Sequence, residues 1–277
     1  MYADSASVLL NSIQAPDELT DKDFAHWCML CGKVTDEAAT GLLPIYQWQR
    51  AQQWFTEHGT AEEQAQIDLY LGRAYVEDGE YDKAMQIYAD ALQLAKEHQA
   101  YNVAGYICAY MADLYGFRDI TSECLKKREE ACEFFKKAEN YKSYAYSLKD
   151  LAGEWAILDS FACTIPLLQK ADSISQLLHN KNLTAAIANA FALIYEMQGK
   201  YNEAETAYLK AISTRSEESY KDSIGLLKVY IKNNKLGKAY ELIKAITVHN
   251  DIAYSFNQAY YLLYKAEGKY KEALHYK

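Results

Sequence analysis

Apolar residues fall at spacings of three and four from about residue 25 to the end of the chain. That spacing gathers them on one face of a helix and predicts consecutive amphipathic helices, with no strand among them. The pattern also repeats. Small residues stand at Gly32, Gly72, Ala112, Ala152 and Ala192, and a second small series runs Ala51, Ala91, Ala131, Ala171 and Ala211, both in steps of 40. Bulky residues keep the same register. Leu71, Met111, Leu151 and Phe191 precede the first small position, and Tyr75, Tyr115, Trp155 and Tyr195 follow it by three.

Turn signals recur at matching places, as Asp78-Gly79-Glu80, Asp119, Asp159 and Gly199-Lys200, residues that leave a helix at low conformational cost. Towards the C-terminus the step shortens to 35 and then 34, from Tyr195 to Tyr230 to Tyr264, with turns at Asn233-Asn234-Lys235 and Glu267-Gly268-Lys269. The pattern divides the chain into a leading helix and linker over 1–24 and about six and a half two-helix units over 25–277. The units start near residues 25, 65, 105, 145, 185, 220 and 254. No helix of such a pair can bury its stripe alone, so stability is expected to be collective. Gly72 or Ala112 is expected to leave room for the backbone of the partner helix, with the aromatic a turn later filling the adjoining groove.

Residues Leu71-Gly72-Arg73-Ala74-Tyr75, Gly79-Glu80-Tyr81-Asp82-Lys83-Ala84, Tyr88 and Ala91 resemble the tetratricopeptide repeat closely. So do Phe191-Ala192-Leu193-Ile194-Tyr195, Gly199-Lys200-Tyr201, Ala204, Tyr208 and Ala211. The units near 25, 105 and 145 depart from the pattern. They carry Pro44, Cys124 and Thr164 at the small position of the second helix, and Arg128 stands where an aromatic is usual. The 40-residue step also exceeds the family's usual ~34. The resemblance implies an all-α, right-handed α-α superhelix of antiparallel helix pairs, a solenoid whose first helices line a concave groove. The opening, Ser5 to Ile13 and then Leu19 to Asp23, is similar to that of bacterial envelope tetratricopeptide proteins, in which the repeats often follow a lipoprotein or secretory signal and precede a membrane helix.

The formal net charge of -9 opposes nucleic-acid binding, because neutralising phosphates needs a basic surface. The most basic stretch, Lys126, Lys127 and Arg128, is flanked by Glu123, Glu129 and Glu130 and reads as a solvated helix face. No run reaches the ~18 apolar residues of a membrane span, and no signal peptide is visible. The chain opens Met1-Tyr2-Ala3-Asp4 and stops at Lys277 within an unfinished helix, which reads as a trimmed segment with targeting and output parts elsewhere. The envelope resemblance implies a periplasmic or membrane-anchored protein, whereas six unpaired cysteines favour a reducing compartment, with a cytoplasmic location as the alternative.

Cys28-Met29-Leu30-Cys31, beside His26, is the one motif with metal-ligand spacing, but no second Cys or His pair supports it. Both cysteines fall in the repeat register, Cys31 with Leu71 and Cys28 with Asp68, Cys108 and Leu148, so packing thiols are expected. The histidines are dispersed and read as surface or cap residues. Neither a nucleophile elbow nor a phosphate loop is present. No enzyme, cofactor or metal is therefore expected.

Tyrosine is in excess, at 25 residues. About half occupy core register positions, while Tyr106, Tyr110, Tyr144, Tyr146, Tyr254 and Tyr261 are candidates for a groove wall. By the resemblance, one groove row holds Arg73, Asp113, Gly153 and Leu193, and another holds Leu69, Ala109, Lys149 and Asn189. Tyr106, Tyr146, Lys221 and Lys228 are similarly placed, and the Lys and Asn clamp for a terminal carboxylate is missing. The expected groove therefore comprises Arg73, Tyr106, Asp113, Tyr146, Lys149, Asn189, Lys221 and Lys228, facing a protein or peptide partner. Self-association through terminal repeats is a further expectation. The alternative reading is the sensory input domain of a membrane-associated bacterial signalling or transcription regulator.

Overall fold

The computed structural model describes residues 2–38, 41–215, 220–246 and 253–277, without the side chains of 2–4, 36–38 and 253–256. Among them every regular element is helical. Helix α1 (Tyr2–Asn11) and a short 3-10 turn (Pro16–Glu18) precede seven helix pairs. These are α2 (Asp21–Ala38) with α3 (Ile45–His58), α4 (Ala61–Glu77) with α5 (Tyr81–Glu97), and α6 (Tyr101–Phe117) with α7 (Thr121–Lys137). Next come α8 (Tyr141–Ile157) with α9 (Phe161–Leu177), α10 (Lys181–Met197) with α11 (Tyr201–Thr214), α12 (Tyr220–Lys232) with α13 (Leu236–Ala245), and α14 (Ala253–Ala266) with α15 (Tyr270–Leu274). The chain forms two compact units, residues 1–140 and 141–277.

The 40-residue repeat is built from two 20-residue halves. Each helix from α4 to α10 is 17 residues long, and the next begins after a turn of three. The middle turn residue is left-handed every time, at Gly79, Gln99, Asp119, Glu139, Asp159, His179 and Gly199. The amide after it returns to the last helical turn, as Glu80 N–H donates to Tyr75 O (2.8 Å) and Asn140 N–H to Phe135 O (3.0 Å). This closure satisfies carbonyls that the helix end would orphan. At the start of α4, Thr60 and Glu63 form a reciprocal capping box.

The small positions receive aromatic rings. A Cβ on Gly72 would stand 2.3 Å from the Tyr88 ring of α5, and one on Gly32 would stand 2.4 Å from Tyr70 of α4. In the second unit Gly225 of α12 meets Tyr208 of α11 in the same way, at 2.5 Å. The expectation that Gly72 makes room for a backbone is corrected: the room holds a ring, because a flat face seats closely only where no side chain intervenes.

Within each unit, successive first helices pack on one another, α2 on α4 on α6 and α8 on α10 on α12 on α14. Successive second helices show no comparable packing among the described residues, so the first helices form the inner layer of each unit. The basic stretch also differs from its expectation. Lys126 is exposed, but the Lys127 and Arg128 side chains are each only 12% exposed and turn inward, to Glu130 (3.0 Å) and Asp113 (2.6 Å). Arg128 holds the register position of Tyr88, so burying its charge requires a carboxylate alongside.

Candidate functional site

In the first unit the groove candidates lie on α4 and α6. The Arg73 guanidinium sits 4.9 Å from the Tyr110 ring centroid and 5.9 Å from that of Tyr70, both within cation–π range. Tyr110 in turn stacks on Tyr88 at 6.3 Å. Burial raises the Tyr88 phenol pKa, with Tyr110 and Asp113 adding to the rise and Arg73 opposing it, so these groups share one patch. Asp113 remains exposed and accepts from Arg128 Nη2 at 2.6 Å. Tyr106 packs edge-on against Phe135 (4.8 Å) and is half-buried. Leu69, placed in a groove row by the family resemblance, is 1% exposed and belongs to the core. Tyr144 is likewise buried and lines no surface.

In the second unit the candidates lie on α8, α10 and α12, and one of them, Asn189, joins a group the sequence did not reveal. Asp222, in the first turn of α12, is 1% exposed. Its Oδ1 accepts from Asn189 Nδ2 of α10 (2.6 Å), and its Oδ2 accepts from Arg215 Nε (3.0 Å), just after α11. Burial raises the Tyr146 phenol pKa, the Arg215 charge opposes that rise, and Asp150 adds to it. Lys149 donates to the neighbouring Asp150. Lys221 is exposed and Lys228 half-buried. Neither Arg215 nor Asp222 could be found by the 40-residue register, because the repeat contracts where they lie.

A cavity of about 400 Å³ at the end of the second unit is lined by Asn257, Gln258, Tyr261, His275, Tyr276 and Lys277. Tyr276 stacks there on Tyr260 (4.9 Å) and Tyr264 (5.7 Å). The Tyr254 side chain lies outside the described residues.

Cys28 is buried with Sγ 3.8 Å from Gln47 O, and Cys31 is half-buried. Burial raises both thiols, Cys31 to about 11, and raises Cys108 to about 12, so these thiols resist ionisation. Among the described residues, no group of three or more His, Cys, Asp and Glu is arranged to hold a metal ion. No described helix is long and apolar enough to cross a membrane.

Residues 71–99 and 184–218 each match a family model described as tetratricopeptide repeat. No curated protein matches the chain in sequence. Among solved structures, a Rap protein complexed with Competence and Sporulation Factor is similar over 99% of this chain and 80% of its own, at 15% identity and a TM-score of 0.68. The apo quorum sensor NprR from B. thuringiensis is similar over 89% of this chain and 72% of its own, at 15% identity and a TM-score of 0.65. A tetratricopeptide repeat protein from Parabacteroides merdae is similar over 91% of this chain and 90% of its own, at 14% identity and a TM-score of 0.62. At such identities the likeness concerns fold. Residues 71–99 and 184–218 match the family directly, and the helix pairs share the fold of a solved tetratricopeptide repeat protein, so the chain carries tetratricopeptide repeats in an all-α fold.

Proposed function

We propose that this chain is a non-catalytic scaffold that binds a segment of a partner protein along the inner layer of first helices of one of its units. The observation that carries the reading is the state of the polar groups there. Arg73 rests on aromatic rings, and the Asn189–Asp222–Arg215 group is cross-braced between helices. Side chains already held in place lose little freedom on binding, which favours recognition of an extended or helical segment. The similar Rap structure holds a bound factor, which agrees with this use of the fold.

A second reading, the sensory input domain of a membrane-associated regulator, draws support from the likeness to NprR, a quorum sensor. There a ligand would shift a conformational equilibrium and bias an output. A membrane helix and output domain encoded beside this segment would favour that reading.

The scaffold reading is tested by selecting displayed peptides on the full chain, then measuring them on Arg73→Ala and Asn189→Ala. Selected peptides should weaken about tenfold in affinity on at least one variant, the scale of removing one hydrogen bond or cation–π interaction from an interface. Failure to enrich any peptide family, or affinities indifferent to both variants, would overturn it.

A further inference from the structure

The chain as a whole is acidic, at -9, yet its charges are unevenly placed. Around the first-helix face of the second unit stand Lys149 on α8, Arg215 beside α12, and Lys221 and Lys228 on α12. Among the described residues, the carboxylates engaged with these cations are Asp150, held by Lys149, and Asp222, enclosed by Asn189 and Arg215, while Glu217 and Glu218 lie outside the described residues. Lys221 and Lys228 have no ion-pair partner among the described residues, and Lys228 is half-buried.

Arg215 is the best-prepared of these cations. Its Nε is tied to a carboxylate that is itself fixed by a second helix, so the guanidinium is oriented while its side chain keeps 25% exposure. Only Nε is engaged in this brace, which leaves the Nη edge of the planar fork to meet a carboxylate side-on. The Tyr146 phenol lies within reach of the same charge and supplies a further donor.

We infer that the face of α8, α10 and α12 receives an acidic peptide segment, whose carboxylates are met by Arg215, Lys221 and Lys228. The inference rests on the scaffold reading and adds the partner's chemistry. Charge complementarity selects this occupant, since a basic segment would meet uncompensated cations, while a neutral one would leave them unpaired.

The probe is a fluorescein-labelled peptide of about ten residues alternating Glu with Leu, compared with Gln/Leu and Lys/Leu versions by anisotropy on the full chain. The Glu peptide should bind about tenfold or more tightly than the Gln peptide, as charge-assisted hydrogen bonds are worth roughly that factor, and should weaken with added salt. Arg215→Gln and Lys228→Gln should each remove most of that preference. Lys228→Gln touches no brace and therefore keeps the test sound if Arg215→Gln fails to fold. Equal binding of the Glu and Gln peptides would overturn the inference, as would an equal loss on Lys244→Gln, an exposed cation on α13. Selection of peptides without acidic bias that still depend on Asn189 would overturn it while leaving the scaffold reading intact.

Discussion

The Tyr88 ring of α5 fills the space that a β-carbon on Gly72 of α4 would need, with the nearest ring atom 2.3 Å from that position. This seating joins the two helices of the pair that resembles the family pattern most closely. It explains why Gly72 itself leaves no room for a side chain in this pair. At the matching place in the next pair, Ala112 faces the register of Arg128 instead.

Gly72→Ala is therefore expected to destabilise the protein by about 1–3 kcal/mol, the range for forcing extra volume into a filled core. Ala152→Leu, at a fully buried position of α8, should cost a similar amount. Urea unfolding reads both, and an unchanged midpoint for either would contradict the packing.

The interhelical turns place five successive non-glycine residues, Gln99, Asp119, Glu139, Asp159 and His179, at φ between 49 and 56. Each carries the steric cost of a β-carbon in the left-handed region, about 1–2 kcal/mol, against the smaller entropic cost of glycine. Glu139→Gly or His179→Gly should thus stabilise by about 0.5 kcal/mol. A drop in midpoint would show that the native side chain contributes a compensating interaction.

The sequence made four of the seven turns visible and concealed the other three. Gly79, Asp119, Asp159 and Gly199 are turn residues by chemistry, whereas Gln99, Glu139 and His179 carry no such signal and are set by helix length and closure. The helices and their buried faces were legible because the apolar spacing repeats without interruption. The site was less so. Register placed Asn189, Tyr146 and Lys149 on first helices, but Leu69 proved to be core. Arg128 read as solvated because its partner Asp113 lies 15 residues away on another helix. Asp222 and Arg215 were missed because they fall where the repeat contracts.

Asp68 of α4 gives a pH dependence. Burial raises its carboxyl from 3.8 to about 6, partly offset by the hydrogen bond from Gln52 and reinforced by Asp90. The folded state therefore holds the proton more tightly than the unfolded chain. This group's contribution is fully present below about pH 4 and is lost as pH rises through about 6. Asp68→Asn should raise stability at pH 7 and flatten the pH profile between these values. A variant less stable than the parent at pH 7 would show that the ionised form is the one the fold prefers.

The brace around Asp222 should be asymmetric under mutation. Arg215→Ala leaves a buried carboxylate without its cation and is expected to cost about 3 kcal/mol, whereas Asp222→Asn, which keeps the shape and loses the charge, should cost less. Thermal unfolding of the two variants orders them directly, and the reverse order would refute the brace.

The most direct measurement of where a partner lies is amide hydrogen exchange on the full chain with and without a selected peptide. A scaffold that binds along its inner layer should gain protection in first helices, above all α8, α10 and α12, with little change in α9 and α11. Protection confined to second helices, or none with the peptide bound, would contradict it.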